Sequence, residues 1–132
     1  MKKKNVLDAY ALLAYLTKER GHARVRDLLA SEEAVIVINS INLGEVFYIL
    51  ARARSIRAAE HFLGVMLPSL PITVLENSIE DVIAAARIKA QHALSFADCF
   101  AAATAIREGA PLVTGDLEFK KVGKALDIDW LG

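Results

Sequence analysis

Leu112-Val113-Thr114-Gly115-Asp116-Leu117-Glu118-Phe119 is the stretch that decides the fold of this chain. Leu112 and Val113 are a short apolar run of the kind that forms a buried strand, and Thr114-Gly115 ends it. Two carboxylates, Asp116 and Glu118, follow at once. Ligands of open α/β sheets bind just beyond the carboxyl ends of the strands. Near the other end of the chain, Asn5-Val6-Leu7-Asp8 closes in the same way. Two strands that each deliver an acid to one rim imply a shared site.

Between these strands the chain alternates. Asp8 gives way to a helix through Leu12, Leu13 and Leu16, and Gly21 separates it from a second helix with Val25, Leu28 and Leu29 at helical spacing. Ala34-Val35-Ile36-Val37-Ile38 is short and rich in β-branched residues, as interior parallel strands are. Asn39 or Ser40 caps a helix to about Arg54. A further helix reaches about Leu67, and Pro68 and Pro71 punctuate the connection to a strand at Ile72-Thr73-Val74-Leu75. Ser78-Ile79-Glu80-Asp81 has capping-box spacing and opens a helix to about Gln91. Ser95 opens another, closed by Gly109 ahead of Pro111. Past the acidic turn a short basic segment ends at Gly123, and Ile128 and Trp130 form a last edge strand. This alternation calls for a mostly parallel sheet covered on both faces, a three-layer α/β/α sandwich. With no repeat and no linker, residues 1–132 are expected to form one domain.

Hydrophobic residues make up 55% of the 132, which favours a well-packed globule over disorder. Sixteen basic and sixteen acidic residues cancel, so net charge alone points to no partner. The single cysteine, Cys99, excludes an intrachain disulfide and fits a reducing compartment. Met1-Lys2-Lys3-Lys4 looks like the basic start of a signal peptide. Asp8 interrupts the apolar stretch behind it, and no cleavage site precedes Lys18-Glu19-Arg20. No apolar run approaches the roughly 20 residues of a membrane span. A soluble cytoplasmic protein is expected.

Each candidate acid has an ordinary explanation beside the functional one. Asp8 can simply cap the helix after the first strand. Glu45 lies between Ile41 and Ile49 on one helix face, an unusual setting for a solvated acid; either it pairs with Arg52 or it points into a site. Asp98 fits a capping box with Ser95, yet shares its face with Ala101, Ala102 and Ala105, which leave its carboxylate room. Asp116 can be a turn residue and Glu118 a solvated one. Four of the five nevertheless fall where a strand ends or a helix begins, positions that share one rim of a parallel sheet. Oxygen ligands without His or Cys at metal spacing point to Mg²⁺ or Mn²⁺, ions of phosphoryl chemistry. Setting those five acids aside leaves sixteen cations against eleven anions, enough to attract a polyanion weakly. Arg52, Arg54, Arg57, Lys120, Lys121 and Lys124 are candidate phosphate contacts or solvated faces. His22, His61 and His92 are scattered, Cys99 reads as a core residue, and Trp130 is expected to pack the C-terminal edge.

Val6-Leu7-Asp8, Ser40-Ile41-Asn42-Leu43-Gly44-Glu45, Leu94-Ser95-Phe96-Ala97-Asp98 and residues 112–119 together resemble the PIN-domain nucleases, most closely their VapC-like toxin branch. The resemblance implies a Mg²⁺-dependent endoribonuclease in which Asp8, Glu45, Asp98 and Asp116 form the acidic quartet. By the same resemblance Asp8 and Asp98 are the foremost metal ligands, Glu118 is a fifth acid and Thr114 a supporting hydroxyl. It also implies a homodimer, an RNA substrate and a co-encoded antitoxin bound across the helices near the first acidic segment. Ile49-Leu50 and Phe62-Leu63 offer apolar surface for such partners or for the core. Ala9 and Tyr10 stand where the family often has a hydroxyl or amide residue just after the first aspartate, and Asn42 where it often has Thr. Two rivals stand beside this reading. One is a phosphatase or phosphotransfer domain, which needs a lysine at a neighbouring strand end. The other is a catalytically silent RNA- or partner-binding module, which has no need to gather five acids.

Overall fold

In the computed structural model, which describes residues 2–132, five strands form one sheet in the order β3-β2-β1-β4-β5, and every pairing is parallel. Met1, part of the basic start, lies outside the described residues. The chain runs β1 (Lys3–Leu7), α1 (Ala9–Leu16), α2 (His22–Ala30), β2 (Ala34–Asn39), α3 (Ser40–Ala53) and α4 (Ile56–His61). It continues through β3 (Ile72–Leu75), α5 (Ile79–Gln91), α6 (Phe96–Glu108), β4 (Leu112–Thr114) and β5 (Ile128–Trp130). The expected α/β/α sandwich is present.

Side-chain parity along the strands sorts the core into two layers. Leu7, Ile36, Ile38 and Val113 face α1 to α4, where they meet Leu12, Val25, Val46 and Phe62. Val6, Val37 and Leu112 face the other way, onto Ala101, Ala102 and Ala105 of α6 and onto Phe119. Successive strand residues point to opposite faces, so an apolar strand buried on both sides needs helices on both. Small alanines on α6 bring that helix close to the sheet, with Ala101 and Ala102 wholly buried. Among the described residues no helix is long and apolar enough to cross a membrane.

Several local forms differ from the sequence expectation. The helix expected to reach Leu67 instead ends at His61, passes into a π turn over Phe62–Met66 and tightens to a 3₁₀ turn at Leu67–Ser69. Pro68 cannot continue an α-helix, so the chain changes pitch before reaching it. Phe62 and Leu50 are buried in the core, whereas Leu63 is exposed. The basic segment after the acidic turn is a 3₁₀ run, Leu117–Ala125, kinked at Gly123, whose φ of 80° favours glycine. Phe119, fully buried, pins that run to the second core layer.

A buried polar clasp joins the ends of β2 and β3 to α6. Asn39 is wholly buried and is the cap of α3, its Oδ1 accepting from the Ile41 N–H at 2.8 Å. Its Nδ2 donates to Asn77 Oδ1 and to Thr104 Oγ1, while Asn77 donates back to Asn39 Oδ1 and to Ser40 Oγ. Such groups are costly to bury unless each is partnered. Thr104→Val removes one acceptor at constant shape and is expected to lower stability by about 1–3 kcal/mol in urea unfolding. An unchanged midpoint would show that the Asn39–Thr104 bond contributes nothing.

Candidate metal centre

The direction of chain travel reverses at β1. The connections β1 to β2 and β2 to β3 move outward on one side, whereas the connection from β3 returns to β4 on the other side of β1. Crevices at such reversals, beyond the carboxyl ends of the strands, are where α/β sheets bind ligands. A pocket of about 180 Å³ opens there, lined by Asp8, Glu45, Asp98 and Asp116 together with Ala9, Tyr10, Leu13 and Ile49.

Asp8 follows β1 directly, and 2% of it is exposed. Its Oδ1 accepts the Ala11 N–H at 2.8 Å, capping α1, so the ordinary explanation of this residue is correct as far as it goes. Its Oδ2 accepts from the hydroxyl of Thr114 at the end of β4. That hydroxyl in turn accepts the Asp116 N–H at 3.0 Å. One buried threonine therefore ties the ends of the two central strands and orients the turn that carries Asp116. Burial pushes the Asp8 carboxyl up to about 7 against these two hydrogen bonds, and the nearby charges of Asp98 and Asp116 add to the rise.

Glu45 comes from the middle of α3. It makes no ion pair with Arg52, whose guanidinium lies 5.3 Å from the Tyr48 ring centroid. Instead Asn42, one turn earlier and wholly buried, donates from Nδ2 to Glu45 Oε1 at 3.1 Å and to the Ala97 carbonyl at 3.0 Å. Asn42 thus holds Glu45 and ties α3 to the first turn of α6 beside Asp98. Its Oδ1 is buried without a partner. Burial raises the Glu45 carboxyl above its ordinary range, opposed by Asn42 and reinforced by the charge of Asp116. Asn42→Ala is expected to release Glu45 and to lower any cleavage rate by roughly 10- to 100-fold, the range for lost support of a metal site. Parent-like rates in Asn42→Ala would show that Glu45 needs no such support.

Asp98 opens α6. The Ser95 hydroxyl accepts its backbone N–H at 3.1 Å. At Ser78 and Asp81 the reciprocal half of the capping box is also made, the Asp81 carboxylate accepting the Ser78 N–H at 2.9 Å. Asp98 instead lends its carboxylate to the pocket. Burial, the charge of Asp116 and then those of Glu45 and Glu118 raise it to about 6, against the Ser95 hydrogen bond.

The acids of this pocket are set apart by being gathered together with no countercharge between them. Asp27, Asp81, Glu108, Glu118 and Asp129 all form ion pairs with Lys or Arg. Among the described residues none of Asp8, Glu45, Asp98 and Asp116 does, and the pocket lining holds no Lys, Arg or His. Four carboxylates gathered without a countercharge repel one another and weaken the fold, an arrangement that a bound cation relieves. The donors are all hard oxygens, which suits Mg²⁺ or Mn²⁺. As the side chains stand, no three His, Cys, Asp or Glu among the described residues converge closely enough to hold a metal ion. The absence of a lysine from the lining also leaves a phosphotransfer aspartate without the partner it needs.

Glu118 does not line the pocket. It is exposed and paired with Lys121, which also donates to the Ala93 carbonyl. Thr114 lies behind the pocket, acting through Asp8 and Asp116. Asn42 and Tyr10 were read in the sequence only as departures from a pattern. An asparagine inside a helix and one turn before a candidate acid is itself a signal, because asparagine is a weak helix former and faces residue i+3.

The family model of the PIN domain matches residues 6–125. A comparison with curated proteins finds no match. Among solved structures, VapBC2 from Rickettsia felis, bound to a DNA fragment from its promoter, is similar over 98% of this chain and 99% of that one, with a TM-score of 0.76 and 20% identity. The sarcin-ricin loop cleaving toxin VapC20 of Mycobacterium tuberculosis is similar over 90% of this chain and 95% of its own, with a TM-score of 0.73 and 22% identity. A toxin–antitoxin complex from Klebsiella pneumoniae follows, at 92% and 94% coverage, a TM-score of 0.67 and 16% identity. At such identities these likenesses are of fold alone. The family match, spanning nearly the whole chain, shows that the chain belongs to the PIN domain family.

Proposed function

We propose that this protein is a Mg²⁺-dependent endoribonuclease and the toxin of a type II toxin–antitoxin pair, acting in the cytoplasm. The observation that carries this reading is the set of four unpaired carboxylates on one pocket at the strand ends. Membership of the PIN family and likeness to toxins of solved structure support it.

Asp8, Asp98 and Asp116 would hold one Mg²⁺, and Glu45 with Asp98 a second. The bound ion supplies neutralisation of the phosphate oxygens and a lowered pKa for attacking water. Asp8 is fixed in place by Ala11 and Thr114 and does not need to reorganise. Glu45, held by Asn42 and raised above its ordinary range, is placed to orient water and take its proton during in-line attack on the phosphodiester.

The antitoxin is assigned to the hollow of about 400 Å³ between the ends of α1, α3 and α4, lined by Leu16, Leu50, Arg54, Arg57, Phe62 and Met66. Apolar side chains rimmed by two arginines suit an amphipathic helix with acidic flanks. A homodimer is the working form, with Ile79, Ile83 and Phe96 supplying exposed apolar surface. The test is incubation of total cellular RNA with the protein in Mg²⁺ or EDTA, followed by sequencing of new ends. Discrete cleavage in Mg²⁺ that EDTA stops is expected; RNA left intact in Mg²⁺ overturns the reading.

A further inference from the structure

We propose that the hollow adjoining the acidic pocket is a stacking subsite for an unpaired base next to the scissile phosphodiester. The inference rests on the nuclease reading and adds to it the class of substrate. The hollow measures about 340 Å³, within the range of small-ligand pockets. Tyr10 lines both it and the acidic pocket, so the two spaces share a wall. Gly115, immediately before Asp116, forms part of the same wall. A Cβ there would lie 2.4 Å from the Tyr10 ring, so the ring rests directly on the backbone that delivers Asp116.

The chemistry of the two spaces is complementary. The acidic pocket has four carboxylates and no cation in its lining, whereas the hollow is lined by Arg20 and Lys120 and by no acid. Its aromatic walls, Tyr10 and Trp130, are 43% and 39% exposed. The Lys120 ammonium lies over the Trp130 ring, 5.7 Å from its centroid, so a base stacking on that face would displace the flexible lysine chain and leave its charge free for the adjoining phosphate. Stripes of cation with aromatic rings are how proteins hold single strands, because every base offers a π-face.

Trp130 lies on the edge strand β5 as expected, yet 39% of it stays exposed beside the hollow, whereas its neighbour Leu131 is 8% exposed, joins the first core layer and packs against Gly21. Bases inside an RNA duplex cannot reach such a hollow, so the substrate it selects is a loop or a single strand.

Trp130 is the only tryptophan, so its emission reports on the hollow. The full chain carrying Asp98→Asn, which keeps RNA uncut, is titrated with a mixed-sequence single-stranded oligoribonucleotide, with the same strand made abasic at successive positions, and with its duplex. Saturable quenching by the single strand is expected, weakened about 10- to 100-fold by one abasic position and absent with duplex. Trp130→Ala in the same background should lose a similar factor, and Trp130→Phe should retain most binding, as seen by anisotropy of the labelled strand. If the parent cuts RNA and the strand binds, but emission and every abasic position are unmoved, the subsite is wrong and the nuclease reading stands. If no RNA is bound or cut, both fall. Equal quenching by duplex overturns the unpaired-base assignment.

Discussion

Asp98→Asn is expected to reduce RNA cleavage by about 10³-fold or more while leaving the fold intact. The substitution keeps the shape of the side chain and removes only its charge. The start of α6 keeps its main cap in the variant, because the Ser95 hydroxyl still accepts the Asp98 N–H. Removing one of four mutually repelling charges also relieves the fold, so the melting temperature should hold or rise. Asp8 offers no such clean test, since its two oxygens cap α1 and accept from Thr114. Cleavage is measured on total RNA, with melting followed by circular dichroism. A variant that cuts like the parent would remove Asp98 from the site.

The second large effect is on stability, and it couples pH to metal. Asp8 has an ordinary value of 3.8 and is pushed to about 7 in the folded protein, chiefly by burial. Between those values the folded state holds a proton that the unfolded chain has lost, so stability falls as pH rises from about 4 to about 7. Asp8 alone sets an upper figure of about 4 kcal/mol on that loss. Asp98, raised to about 6, acts in the same direction. Asp81 and Glu108 are lowered by their hydrogen bonds, so their opposite effect is mostly gained by pH 5. With EDTA present, urea unfolding should show a more stable protein at pH 5 than at pH 8. Mg²⁺ binds the ionised acids and competes with protons for them. At about a hundred times its dissociation constant it should restore roughly 2.7 kcal/mol at pH 8 and much less at pH 5. A flat profile in EDTA, or equal stabilisation by Mg²⁺ at both pH values, would refute the coupling.

What could be read in advance was what local physics determines. Strand parity, the caps at Asp8, Ser78 and Ser95, and the breaks at Gly21, Gly109 and Pro111 are properties of a few adjacent residues, and they placed the elements correctly. The placing of acids at strand ends and helix starts pointed to one rim for Asp8, Asp98, Asp116 and Glu118, of which the first three line the pocket. Long-range partnering was not legible. Whether Glu45 meets Arg52 or a pocket depends on where α6 lies, and its holder Asn42 is fixed by a carbonyl 55 residues away. Glu118 looked equivalent to Asp116 because both follow the same strand, but the 3₁₀ turn sends it toward Lys121. The clasp of Asn39, Asn77 and Thr104 joins three elements far apart in sequence, and no local pattern announces it.

The all-parallel sheet has a consequence for the order in which the protein comes into being. No strand has a hairpin neighbour, so each pairing waits for a crossover to be built, and long closures are slow. The last central pairing, of β1 with β4, brings Thr114 to Asp8 across 106 residues. Chains fold from the N-terminus as they leave the ribosome. A nascent or truncated chain that stops short of β4 carries Asp8, Glu45 and Asp98, yet lacks both Asp116 and the hydroxyl that locks Asp8. The centre therefore closes only after β4 has been made and has paired with β1.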